Sequence, residues 1–309
     1  MRPVSRRSTV VRWALLFSWG PVSSAAVAAQ ETAPLILRLP ASPRGFSLGD
    51  AFVGGRGPDV VFYNPAQIGE QIGLLATVSR YRKASTQGGV AASTGLGKHS
   101  LAVFAQWLDY GTDGFPTRPG GLTQRGPRDG QSLVGGLALA TRFMKFRIGA
   151  TAKYVEERMD SEHDGTVAFD LGLSREIRRL RIGLVAQHIG SDIQLGNRAA
   201  ELPTRVTLGA STRVWPIATY FDLSATAAVS RERDGRIVPA GGVELTYEPV
   251  MGWTGSLRLG ARRVDQSGST GLKPITVGAS VGLDRFRLDY GFESYRGPGA
   301  VHRFGIRIQ

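Results

Sequence analysis

Residues 275–292 read ITVGASVGLDRFRLDYGF, and this stretch decides the fold class. Large apolar residues alternate with small or charged ones on both sides of Asp284-Arg285, which is the period of a β-strand with two unlike faces. If Asp284-Arg285 forms a two-residue turn, Leu283 lies opposite Phe286 and the apolar side chains of both strands fall on one face. The stretch therefore predicts a tight antiparallel hairpin.

The same alternation extends from about Ile72 to Gln309 and gives fourteen strands. Two further tight turns, at Gly97-Lys98 and Met144-Lys145, also keep the apolar residues of their strands on one face. Short and longer connections alternate along the chain. The short ones are predicted at 97–98, 144–145, 175–178, 215–218, 248–252 and 284–285, and the longer ones at 109–130, 157–165, 190–203, 231–235, 265–273 and 295–299. Because this sorting is typical of outer-membrane barrels, we predict an all-β fold, a 14-stranded antiparallel transmembrane β-barrel.

Composition supports this class and excludes others. The 309 residues include no Cys, which excludes a disulfide scaffold, a Cys-ligated metal site and a thiol nucleophile. Mean hydropathy is −0.09 and no apolar run reaches 18 residues, which excludes a polytopic helical membrane protein. A soluble sandwich or propeller is the alternative for alternating strands. It would bury each apolar face under a second layer and has no need for sorted turn lengths, so the barrel is favoured.

The N-terminus resembles an export signal. Met1 to Arg12 contains four arginines and no acid, and an apolar stretch to about Val22 is followed by small residues through Ala29. This order predicts a cleaved signal peptide at 1–29, with cleavage after Ala28 or Ala29. Residues 30–71 then form an N-terminal plug or periplasmic segment and residues 72–309 the barrel. The predicted location is an outer membrane of the Gram-negative type, with membrane lipid as one partner.

The strand face opposite the apolar one carries many charged residues. By parity these side chains point into the lumen, and structural ion pairs are the simplest role for them. We therefore expect the basic side chains of the barrel to be mostly internal, and nucleic-acid binding is not expected. The predicted lumen charges are Lys153, Asp170, Arg181, Arg205, Asp222, Glu244, Arg258, Asp289, Arg303 and Arg307.

Several short motifs resemble a known family. Residues 44–55 read RGFSLGDAFVGG and are followed by Tyr63-Asn64-Pro65-Ala66. Further landmarks follow in order: AFDLGL at 168–173, LPTR at 202–205 and LDYGF at 288–292. Together they resemble the PorV/PorQ-type outer-membrane barrels within the wider FadL-like group, over about residues 40–309. The final Ile308-Gln309 departs from the family's usual terminal aromatic.

The resemblance implies a 14-stranded barrel with its N-terminal segment packed as a plug, and Asn64, Pro65 and Ala66 as the plug motif. It also implies two functions. PorV-like members act in type IX protein secretion as a scaffold or shuttle with a machinery or cargo partner, whereas FadL-like members pass hydrophobic molecules through the wall. A plug-lined apolar pocket for such a ligand would involve Phe46, Phe52, Phe62 and Tyr63, although simple packing of the plug also explains them. A structural barrel without a substrate is the third possibility.

No pattern in the chain indicates an enzyme. The four histidines, His99, His163, His188 and His302, are dispersed without metal-ligand spacing. Neither a nucleophile elbow nor a phosphate-binding loop is present in the sequence. We therefore expect no catalytic residues, no metal site and no cofactor. The resemblance to the PorV/PorQ type makes the secretion role the first hypothesis, ahead of the hydrophobic channel and the structural barrel.

Overall fold

The computed structural model describes residues 34–69, 72–81, 85–111, 130–159, 162–196, 198–212, 214–263, 274–294 and 299–309. The predicted signal peptide at 1–29 lies outside the described residues, as do most of the predicted loop at 109–130 and all of the one at 265–273.

Seventeen β-strands occur in the described residues, and fourteen of them close into one antiparallel barrel. The first and last strands pair with each other, with Leu74 opposite Ile308. Strands β8 and β9 form a separate hairpin, and β11 pairs only with β12. The strands are β1 Gly73–Arg80, β2 Thr86–Leu96, β3 His99–Asp109, β4 Gly130–Phe143, β5 Phe146–Met159, β6 Glu162–Ile177, β7 Leu180–Gly190, β8 Ile193–Leu195, β9 Arg198–Ala200, β10 Arg205–Thr212, β11 Trp215–Ala218, β12 Phe221–Glu232, β13 Ile237–Tyr247, β14 Trp253–Arg262, β15 Ile275–Leu283, β16 Phe286–Ser294 and β17 Ala300–Ile308.

The predicted 14-stranded barrel is confirmed, and so are the registers of its three tight hairpins. Leu283 lies opposite Phe286, Thr94 opposite Leu101, and Leu139 opposite Ala150. The predicted loop at 157–165 is wrong, because β5 extends to residue 159 and β6 starts at residue 162. The charged residues there lie on paired strands, with Glu157 opposite Asp164. The predicted short connection at 215–218 is also wrong, since these residues form β11.

The outer face of the barrel is apolar. Each of the fourteen barrel strands exposes at least one large hydrophobic side chain. The exposed fractions of the Leu257 and Leu288 side chains, for example, are 64% and 60%. Aromatic side chains gather near the short-turn end of the wall. They include Phe143, Phe146, Trp215, Tyr220, Phe221, Tyr247, Trp253 and Phe286. The side chains that alternate with the apolar ones face inward, and they are mostly small, hydroxylated or charged.

Residues 34–69, which we call the plug, fold inside this wall. Three short 3-10 helices span Leu35–Leu37, Pro58–Phe62 and Pro65–Gln67, and one α-helix, α1, spans Pro43–Ser47. Pro stands at the first or second position of α1 and of the last two 3-10 helices, where its missing N–H costs nothing. The plug contacts strands on all sides of the barrel, and the main hydrophobic core lies between plug and wall.

None of the helices in the described residues is long and apolar enough to cross a membrane.

Candidate functional site between the plug and the barrel wall

Inward-facing glycines form the seat of the plug. A Cβ added at Gly260 would meet the backbone of Leu48 and Gly49, and one at Gly242 would lie 2.7 Å from the Leu48 Cα. The wall therefore reaches the plug backbone at van der Waals distance, which only glycine permits. The glycines whose added Cβ would contact the plug are Gly149, Gly172, Gly183, Gly209, Gly242, Gly260, Gly278, Gly291 and Gly305.

The Asn64-Pro65-Ala66 segment is fixed from both sides. The Asn64 side chain accepts a hydrogen bond from the Ala66 N–H (3.0 Å), capping the last 3-10 helix, and donates one to the Val53 carbonyl (3.1 Å). From the wall, Arg147 Nε donates to the Ala66 carbonyl at 2.8 Å. The motif therefore forms a turn of the plug, and the wall binds this turn. Its role is structural.

A buried ion-pair network joins the plug to β13–β17. Arg44 is its plug member, and Arg44 Nε and Nη2 both lie 3.1 Å from the Glu244 carboxylate. Arg258 bridges Glu244 and Asp289, at 2.6 Å and 3.0 Å. Arg307 contacts the other side of Asp289. Burial opposes the charge on Arg44, but Glu244 and then Asp59 outweigh it and raise the pKa of the guanidinium above its ordinary value.

Arg303 is a second wall residue that holds the plug. Its guanidinium is buried, donates to the Pro40 carbonyl (2.8 Å) and lies 4.5 Å from the centre of the Phe46 ring. Phe52 packs edge-on against Tyr63, with ring centroids 5.4 Å apart, beneath Arg44. Phe46 and Phe52 therefore pack against the wall cations and within the plug, and neither lines the cavity described next.

A small cavity lies on the other side of the plug, against β3–β7. About 30 Å³ is open to the centre of a water molecule, enough for one or two waters. Phe62 and Tyr63, the other two predicted pocket residues, both line it. One wall of the cavity is apolar and the opposite wall is charged. The apolar part includes Ile36, Leu37, Val61, Phe62, Phe104 and Val134, and the charged part includes Lys153, Asp170, His188 and Arg205.

A β-bulge builds the charged wall. The pairing of β6 with β7 shifts register beside Asp170, and His188 has a positive φ of 60°. Two consecutive residues, Gln187 and His188, therefore point inward. Lys153 Nζ lies 2.7 Å and 2.8 Å from the two Asp170 oxygens and 2.8 Å from His188 Nδ1. The sequence did not single out His188, because strict alternation places it outside.

Three buried polar atoms around this cavity make no hydrogen bond of good geometry among the described residues: Asp50 Oδ1, Tyr63 Oη and His188 Nε2. His188 Nε2 belongs to a side chain packed near the Leu37 backbone. Burial raises the pKa of Tyr63 well above its ordinary value, and the Asp50 carboxylate adds to the effect. The Tyr63 hydroxyl lies near the Asp50 carboxylate and the His188 ring near the Leu37 backbone, so these polar groups are at best weakly hydrogen-bonded, beside an apolar surface.

The remaining predicted lumen charges differ in burial. Arg181 is buried and contacts Glu176, with an Nη2–Oε1 distance of 2.5 Å. Arg205 is half-buried and donates to the Gln187 side chain at 2.9 Å. Asp222 is half-buried and makes no ion pair within the described part of the chain. Eight of the ten predicted residues are thus buried, and Arg205 and Asp222 are not.

Comparison with solved structures shows which known proteins have a similar fold. The chain is similar in structure to the toluene transporter TodX of Pseudomonas putida, with 10% sequence identity over 85% of this chain and 96% of that chain and a TM-score of 0.55. It is similarly close to the CymD monoaromatic hydrocarbon channel, at 11% identity, 87% and 96% coverage and a TM-score of 0.55. No protein-family model matches the sequence, and no curated protein sequence matches it. At this identity the similarity shows the fold alone.

Proposed function

We propose that the protein is an outer-membrane channel for hydrophobic solutes, without enzymatic activity, in which solutes pass between the plug and the wall. The observation that carries the proposal is the cavity on the β3–β7 side, which apolar residues of both plug and wall line together with buried polar groups. A protein-binding scaffold has no need for such an internal space.

Membrane insertion is the first part of the proposal. The apolar outer face, continuous around all fourteen strands, is larger than any patch that a soluble monomer leaves uncovered. Aromatic residues at the short-turn end are typical of the boundary between lipid tails and headgroups. Export by the predicted signal peptide at 1–29 and a location in an outer membrane agree with this arrangement.

The solute class is the second part. TodX and CymD are described as a toluene transporter and a monoaromatic hydrocarbon channel, and they have the same fold. The cavity is too small for an aromatic ring as it stands, so a solute must displace plug residues such as Leu37 and Phe62. The plug side chains at the cavity, such as Leu37 and Phe62, belong to the hydrophobic core between plug and wall, and apolar contacts are easier to rearrange than the ion pairs of the β13–β17 side.

The test is uptake of toluene into lipid vesicles containing the refolded protein. Val134→Phe fills the cavity and is expected to reduce uptake at least tenfold, whereas Phe62→Ala enlarges the cavity and is expected to raise it. Val243→Phe, on the exposed outer face, is the matched control and should leave uptake unchanged. Wild-type uptake equal to that of empty vesicles, or equal uptake by all three variants, would contradict the channel.

The secretion role that the PorV/PorQ resemblance implies stays a second hypothesis, and no match to a related sequence adds to it. Native mass spectrometry of the protein extracted gently from its own membrane separates the alternatives. A stoichiometric polypeptide partner would favour secretion, a bound hydrophobic molecule would favour the channel, and a bare barrel would favour the structural role.

A further inference from the structure

Exposed cations at the short-turn end of the barrel cluster on one arc of the rim, whereas several cations at the long-loop end are paired with acids. At the long-loop end, Arg233 pairs with Glu201 (2.7 Å), and Arg236 pairs with Glu232 and Asp234 (2.6 Å each). At the short-turn end, one arc of the rim carries five exposed cations that make no ion pair or side-chain hydrogen bond within the described ranges. We call these five residues the basic arc: Lys98, Arg142, Lys145, Arg178 and Arg179.

The basic arc is contiguous because its members lie on three neighbouring hairpin turns. The β2–β3 and β4–β5 turns touch directly, with the Arg142 N–H donating to the Lys98 carbonyl at 3.1 Å. The β4–β5 and β6–β7 turns adjoin through the pair Phe146–Arg175. With strands about 4.8 Å apart, the three turns span roughly 20 Å of the rim.

Acidic residues do not neutralise this arc. The nearest carboxylate, Glu176, pairs with Arg181 of the wall and Arg56 of the plug. On the rest of the short-turn rim, the described turns carry Arg285 together with the exposed acids Glu248 and Asp284. The positive charge is therefore concentrated on one side of this end, and it has no protein partner there.

The apolar residues next to the basic arc indicate which part of a membrane the cations face. Large apolar side chains of the same hairpins are exposed directly beside the cations: Phe143 at 58%, Met144 at 87% and Leu180 at 44%. In a membrane these apolar residues lie among lipid tails, which places the cations at the level of the headgroups. Phosphates are the anions at that level, and Arg and Lys bind them strongly.

We propose that the basic arc is a binding site for anionic phospholipid headgroups of the leaflet at the short-turn end. The site depends on membrane insertion but not on which solute passes through the barrel.

The experiment measures headgroup selectivity of the full barrel. The refolded protein is placed in phosphatidylcholine vesicles with and without 30% phosphatidylglycerol, and its thermal midpoint is recorded; native mass spectrometry then counts the retained lipids. The wild type is expected to be stabilised by several degrees in phosphatidylglycerol and to retain it in preference to phosphatidylcholine. The shift should shrink in 0.5 M NaCl, because salt screens exposed charges.

Two triple variants locate the effect. Lys145→Gln/Arg178→Gln/Arg179→Gln should lose the preference, whereas Arg231→Gln/Arg233→Gln/Arg236→Gln at the long-loop end should keep it. Arg178→Lys/Arg179→Lys retains the charge and should restore at least half of the shift, which distinguishes lost binding from lost folding. Equal retention by the two triple variants, an equal shift in phosphatidylcholine, or the same shift with inorganic phosphate alone would overturn the proposal. Toluene uptake by the first variant should stay normal, so a failed lipid site and a failed channel are distinguishable.

Discussion

The two sides of the plug are built on different principles. Toward β13–β17, Arg44 of the plug joins a network in which each carboxylate meets two guanidinium groups. Toward β3–β7, close glycines and Arg147 hold the Asn64-Pro65-Ala66 turn without ion pairs among the described residues, and the apolar side chains beside it leave a small cavity. The difference indicates an anchored side that fixes the plug and a loose side where it can yield. The predictions below test this division, starting with the largest effect.

The largest effect is expected at Asp289. Its carboxylate binds both Arg258 and Arg307, and Asp289→Ala leaves two buried guanidinium groups without it. Removing one member of a buried ion network costs about 3–5 kcal/mol of stability. Urea unfolding of the refolded barrel, followed by tryptophan fluorescence, measures this change. Asp222→Ala removes a half-buried carboxylate without an ion pair and should cost less than about 0.5 kcal/mol. Similar losses in both variants would mean that the anchored side owes little to its charges.

A smaller effect on stability is expected at the wall glycines that contact the plug. In Gly260→Ala the new methyl group meets the Leu48–Gly49 backbone, which has to shift, at a cost of about 1–3 kcal/mol. Limited trypsin digestion should then cut the plug faster at Arg44 or Arg56. Gly255→Ala is the matched control on the same strand, because nothing lies within 4 Å of its added Cβ. Unchanged plug cleavage in Gly260→Ala would show that the close approach does not hold the plug in place.

The anchored side was largely predictable from sequence, and the loose side was not. Alternation places Arg258, Asp289 and Arg307 on the inner face without knowledge of the structure, because strand parity is fixed once the tight turns are located. It fails at His188, because the bulge adds a residue and turns the side chain inward. Nothing local in the sequence marks that bulge, since it depends on the contact of the His188 N–H with Asp170, eighteen residues away.

The same limit applies to the plug. The motif Asn64-Pro65-Ala66 and the aromatic residues were visible in the sequence, but their division between packing and cavity lining was not. Phe46 lies against Arg303, whereas Phe62 lies at the cavity. That division depends on which wall strand each residue meets, and 200 or more residues separate partners such as Arg44 and Glu244. Such long-range pairings have no local signal.

The smallest effect on stability concerns two buried tyrosine hydroxyl groups, those of Tyr110 and Tyr63, which differ in their hydrogen bonds. Tyr110 Oη donates to Glu157 (2.6 Å) and lies 3.0 Å from Ser132 Oγ, whereas Tyr63 Oη makes no hydrogen bond of good geometry among the described residues and only lies near the Asp50 carboxylate. Tyr110→Phe therefore leaves a buried carboxylate short of a donor and should cost about 1–3 kcal/mol, while Tyr63→Phe should change stability by less than about 0.5 kcal/mol. The same urea titration measures both variants, each of which loses one oxygen atom. A loss at Tyr63 as large as at Tyr110 would mean that its hydroxyl is already satisfied, for example by a bound water. The cavity would then offer a solute no free donor there, and its apolar wall alone would have to account for solute binding.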